Sequence, residues 1–164
     1  MGHLKELHQE VVIPPAVYDE VVVRGSEKGL SDADEVERAV GEGWIKVRHV
    51  ESKHLDRVLA AERGFGVELG IGEREALALA LEPDVDLLLT DDETAYQVGR
   101  SLGLECRGVL YVLLRFVGEG YIKASEARKA LSNMIEDGFW LSPRIVASFN
   151  EALEKLSGNR TDQP

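Results

Sequence analysis

The sequence predicts an α/β domain with a mainly parallel sheet, and three observations carry that prediction. Short β-branched or apolar runs alternate with amphipathic segments along the chain, which is the pattern of successive strand–helix units. The run "VDLLLT" (85–90) is apolar without alternation, as expected of a parallel strand covered on both faces. Glycine and proline mark the ends of these runs, so the punctuation agrees with the periodicity.

Taken in order, "EVVIPP" predicts a strand at Val11–Ile13, stopped by a proline pair. "PAVYDEVV" then reads as a helix entered through proline. In "SDADEVERAVGEG", Ser31 reads as the N-cap, Val36, Ala39 and Val40 form the apolar stripe, and Gly41 or Gly43 ends the helix. "WIKVRHV" alternates as a strand does, and Ser52–Arg63 is an amphipathic helix. "GFGVELGIG" is a loop, and "EREALALALE" is a helix stopped by Pro83. After the "VDLLLT" strand come the helix "DETAYQVGRSLG", the strand "LECRGV" and three more helices. No repeat or linker interrupts the pattern. One domain over residues 1–156 and a frayed tail over 157–164 are therefore expected.

The 164 residues, 44% hydrophobic and 30% charged, can bury a proper core. No run is long enough for a membrane span, and "MGHLKELHQE" lacks the apolar region of a secretory leader. The single Cys106 forms no internal disulfide, so a cytoplasmic location is expected. The net charge of −11 disfavours a protein that coats nucleic acid, because phosphate neutralisation needs basic residues. It accords with a metal-dependent enzyme, with a basic protein partner or with a salt-rich cytoplasm. His3, His8, His49 and His54 are scattered and read as structural or surface residues. Trp44 and Trp140 read as packing residues, with Trp140 also placed for an interface.

The acidic residues in "GEREALALALEPDVDLLLTDDETA" admit two readings. Each is explained singly by helix ends: Thr90 as N-cap with Glu93 at N3, and Glu73 and Glu75 in a first helical turn. Taken together, they lie on neighbouring elements, with Asp91 and Asp92 at the carboxyl end of a strand, where ligands of α/β sheets bind. Several carboxylates at one edge repel unless a cation sits among them, and oxygen ligands select Mg2+ or Mn2+. A receiver-type phosphoacceptor site is excluded, because "LECRG" ends in Arg107 and Gly108 rather than an acid.

"GHLKELHQEVVIPPAVYDEVV", "GWIKV", "GIGEREALALALE", "DLLLTDDETAYQVGRSLGLECRGVLYVLL" and "FWLSPRIVASFNEAL" together resemble the PIN-domain family, more narrowly its largely archaeal nucleic-acid-binding subfamily. The resemblance spans residues 2 to 155 in consistent order. It implies a three-layer α/β fold and a Mg2+- or Mn2+-dependent ribonuclease, often the toxin of a toxin–antitoxin pair. Carried over, Glu20, Glu75 and Asp92 match the family's catalytic, metal-binding acids, with Asp91 as a further ligand and Glu73 as a helper. Thr90 matches a hydroxyl beside the metal. RNA, a basic antitoxin-like protein and a second copy of the chain are the implied partners. Family members normally begin with an apolar central strand ending in an acid, and Met1 falls after that point, so this strand is expected to be missing. The alternative is a PIN scaffold that binds or dimerises without catalysis.

Overall fold

The computed structural model describes residues 2–8 and 10–161. The chain forms two compact units, Met1–Gly108 and Val109–Pro164.

The first unit alternates helices and parallel strands, as the sequence predicts. Helix α1 (Gly2–Leu7) leads to β1 (Val11–Ile13), which pairs in parallel with β2 (Ile45–Val47) in the register Val11–Ile45, Val12–Lys46 and Ile13–Val47. Between them lie α2 (Pro15–Tyr18), a π-helical segment (Asp19–Val23), α3 (Arg24–Glu27) and α4 (Ser31–Gly41). The backbone stays right-handed helical through both ends of the π segment, so residues 15–27 form one helical path with a widened middle turn. Leu30, extended, stands at the N-cap of α4, so the helix already includes Ser31, the residue expected to precede it.

Helix α5 (Ser52–Phe65) closes on Gly66, whose φ of 65° is left-handed and suits glycine. After a loop, α6 (Ile71–Leu79) leads to β3 (Leu88–Leu89), and α7 (Glu93–Ser101) to β4 (Cys106–Arg107). Strands β3 and β4 pair in parallel, Leu88 with Cys106 and Leu89 with Arg107. The core beneath them consists of Val58, Leu77, Val98 and Cys106, all fully buried, with Leu88 and Ala95. A second cluster packs Ala39, Trp44 and Ile45 under β1 and β2.

Two expectations are corrected here. Helix α6 stops at Leu79 and a turn fills the interval to Pro83: the Ala80 N–H donates to the Ala76 carbonyl, and the Leu81 N–H tightens the turn by donating to the Ala78 carbonyl. The β3 strand is not covered on both faces: Leu88 is buried, whereas Leu89 is 39% exposed. The two side chains point to opposite faces, and only the Leu88 face packs into the core. Among the described residues the strands form two separate pairs, β1–β2 and β3–β4.

The second unit is helical: α8 (Val109–Glu119), α9 (Ala124–Glu136) and α10 (Pro143–Thr161). Leu113 and Val117 of α8 are buried with Ala127, Leu131, Phe149 and Leu153. The apolar stripe of α8 is therefore a core face. Trp140 is 82% exposed, so it packs no core and the packing expectation fails for it, although Trp44 meets it. Helix α10 draws in the predicted tail as far as Thr161, and residues 162–164 of that tail lie outside the described residues. No helix among the described residues is long and apolar enough to cross a membrane.

Candidate functional site

The residues singled out from the sequence come from three places in the first unit: the π segment, the amino end of α6 and the carboxyl end of β3. Glu20 lies in the π segment, whose extra residue per turn changes the direction of its side chain relative to a regular helix. Its Oε2 packs against Gly72, where an added Cβ would lie 3.4 Å from it. Glu73 folds back over Gly70 at the start of α6, occupying the space a side chain at position 70 would take. Glu20, Glu73 and Thr90 line one cleft of about 160 Å3, walled by Val17, Ala76, Leu88 and Ala95.

Glu75 has a structural task. Pro14 and Pro15 have no N–H, so Ala16 carries the first amide of α2, and neither proline offers a side-chain cap. Glu75 Oε2 accepts that N–H at 2.9 Å from 59 residues away, which ties α2 to α6. The Pro-Pro entry leaves an amide in need of an acceptor, and the packing of α2 against α6 decides that Glu75 supplies it.

Asp92, not Thr90, is the N-cap of α7. Its Oδ1 accepts the Ala95 N–H at 2.7 Å, while Thr90 Oγ1 accepts the Asp92 N–H at 3.2 Å. Helix α7 therefore starts two residues later than a Thr90 cap requires, and Glu93 falls at its first position rather than its third. Aspartate outcompetes threonine at this position by offering a charged acceptor to the positive helix end. Asp91 is exposed and lies over Gly108, just past β4.

Four oxygen ligands gathered around one cation were expected. Among the described residues, no group of three or more His, Cys, Asp or Glu side chains is gathered closely enough to hold a metal ion. Glu20, Glu73 and Thr90 line one cleft, and the polar side-chain atoms they bring to it are all oxygen, the donor type a hard cation takes.

Sequence reading missed the device that fixes the loop before α6. Glu62 on α5, only 4% exposed, accepts the Leu69 N–H at 2.7 Å and pairs with Arg74 through Nε at 2.8 Å and Nη2 at 2.9 Å. Arg74 also donates to the Leu69 carbonyl at 3.1 Å. The Arg74 hydrogen bond holds the Glu62 carboxyl below its ordinary range; burial opposes this and the Leu69 amide assists. The segment between α5 and α6 is thus clamped at both ends of Arg74's fork. Arg100 and Arg107 pair with Glu105, and Arg115 with Glu119.

A family model described as a PIN domain matches residues 1–155. No curated protein matches the chain.

Proposed function

The chain belongs to the PIN-domain family, and from that premise we propose that it hydrolyses RNA phosphodiester bonds with Mg2+ or Mn2+. PIN domains are nuclease-type domains that bind nucleic acid and use divalent metals. The observation that supports the finer reading is the shared cleft of Glu20, Glu73 and Thr90 beside the end of β3. Glu20 and Glu73 would hold the hydrated cation. Glu75, Asp91 and Asp92 would add negative charge from the framing elements. A bound cation supplies Lewis acidity, making water more acidic and offsetting charge that builds on the phosphate.

The chain's own residues set the stage. Glu75 and Asp92 each place one oxygen on a backbone N–H and carry a second beyond it, so both position a helix whatever else they ligate. Thr90 orients Asp92 through its amide. The net charge of −11 suits a basic, antitoxin-like protein partner, and a toxin-like ribonuclease in the cytoplasm, acting as a dimer, completes the proposal.

One observation favours the rival reading of a non-catalytic binding module: no three acids are gathered among the described residues. Cleavage of a fluorogenic single-stranded RNA with Mn2+, beside Mn2+ titration of the RNA-free protein, separates the two. Glu20→Gln and Glu73→Gln are expected to lower cleavage by at least 10–100-fold, roughly the loss seen even for outer partners of a metal site. Glu75→Gln and Asp92→Asn keep a carbonyl acceptor for their backbone N–H, so a loss of activity in a folded variant would mark them as ligands. A chain that neither cuts RNA nor takes up Mn2+ is the binding module.

A further inference from the structure

Gly70 stands at the N-cap of α6 with φ −60° and ψ 161°, an extended conformation that any residue adopts. The backbone therefore does not ask for glycine. Nor does the helix: serine, aspartate or asparagine at an N-cap would supply the side-chain acceptor that α6 lacks. What the position does require is space. A Cβ at residue 70 would overlap Glu73 Oε2 and lie 3.2 Å from Glu73 Cδ, so the carboxylate fills the place of the missing side chain.

A glutamate three residues after an N-cap is often half of a capping box, and α9 shows what that ordinary arrangement looks like. There Glu126 Oε2 accepts the Lys123 N–H at 2.7 Å, and Lys123 carries its own Cβ. A box glutamate thus coexists with a side chain at the cap. In α6 the glutamate at the same spacing lies where that side chain would be, which is a different seat.

The surroundings leave the carboxylate as the part that must give way. Leu69, the residue before Gly70, is held at both backbone groups: Glu62 accepts its N–H at 2.7 Å and Arg74 donates to its carbonyl at 3.1 Å. Glu62 and Arg74 are joined to each other, so the backbone entering α6 is pinned to α5. The far end of the flexible Glu73 side chain is what a Cβ at 70 would strike. An added side chain there moves Glu73 rather than the backbone. Position 72 differs: a Cβ would lie 3.4 Å from Glu20 Oε2, an ordinary contact that leaves that carboxylate in place.

We infer that Gly70 is a positioning residue for Glu73. By lacking a side chain it seats the carboxylate where it lines the cleft, beside Glu20, with which it would hold the cation. The inference rests on the nuclease reading of that cleft. It gives Gly70 a task in cation affinity and none in the stability of α6.

Mn2+ titration of the RNA-free chain, followed by the electron paramagnetic resonance signal of the free ion, tests it beside thermal unfolding. Gly70→Ser and Gly70→Ala both add the Cβ, and the serine hydroxyl also offers the helix a cap. Both are expected to weaken Mn2+ binding about tenfold, the lower end of the loss for outer partners of a metal site. Gly70→Ser is expected to unfold at or above the parent's temperature. Gly64→Ala, whose Cβ meets nothing within 4 Å, should bind as the parent does. In a Glu73→Gln background, Gly70→Ser should weaken binding no further, because the charged ligand it displaces is already gone. Parent-like binding by both Gly70 variants overturns the inference. So does weaker binding by Gly70→Ser that comes with a lower unfolding temperature, or a loss that persists undiminished in the Glu73→Gln background. A parent chain that takes up no Mn2+ overturns the nuclease reading and this inference together, so the parent's own titration tells the two failures apart.

Discussion

Glu62→Ala is expected to destabilise the first unit by about 3 kcal/mol, near the lower end of what breaking a buried ion pair costs, because Arg74 keeps some exposure. The substitution leaves the Arg74 guanidinium and the Leu69 N–H without their acceptor in a largely buried setting. Urea unfolding followed by Trp44 fluorescence, in a Trp140→Phe background so that Trp44 alone reports, measures it. A cost below 1 kcal/mol would mean that water replaces Glu62 and that the clamp is cosmetic. The effect has a pH signature. The folded carboxyl titrates below its ordinary value of 4.5, so its stabilisation is fully present above that value and is lost as pH falls through the folded one. Glu62→Gln should therefore flatten part of the acid loss of stability seen in the parent chain. Parallel acid profiles would exclude the linkage.

Gly99→Val is expected to cost about 3 kcal/mol, the upper end for overpacking a closed core. A Cβ at position 99 would lie 2.7 Å from Cys106 Sγ and 3.0 Å from Leu77 Cδ2, and both of those residues are fully buried. The gain of up to about 1 kcal/mol from replacing a helical glycine cannot offset such contacts. The cause is local and can be relieved. Gly99→Ala should be destabilising alone and tolerated with Cys106→Ala, which removes the sulfur from the contested space. Additive costs in that double-mutant cycle would place the strain elsewhere.

The parallel strand–helix order was legible because each apolar run meets a turn residue at its end, and β1, β2 and α5 fall where that punctuation puts them, while the ends of α4, α6 and α7 shift by a few residues. The Thr90 cap was misjudged because sequence spacing alone does not rank two adjacent acceptors, and Asp92 wins by charge and by its hydrogen bond to Ala95. The choice of Glu20 rested on the family pattern, whereas the widened turn that carries it has no local sequence signal. Glu75 was read as a first-turn acid; its bond to Ala16 depends on α2 packing against α6, a tertiary fact that no window of sequence contains. The unalternating run "VDLLLT" predicts cover on both faces of its strand, whereas only the Leu88 side packs into a core and Leu89 stays exposed.

The division of the strands into two pairs has a kinetic consequence. Pairing β1 with β2 closes a separation of 34 residues (45 − 11), and pairing β3 with β4 closes 18 (106 − 88). A near-doubling of loop length adds only about 0.6 kcal/mol of closure entropy, so the two pairs are almost equally easy to nucleate. Neither pair hydrogen-bonds to the other, so neither must wait for the other as a template. Folding of the first unit can therefore begin from either half, and the transition state should be shared between Ile13 and Leu88 rather than concentrated at one of them.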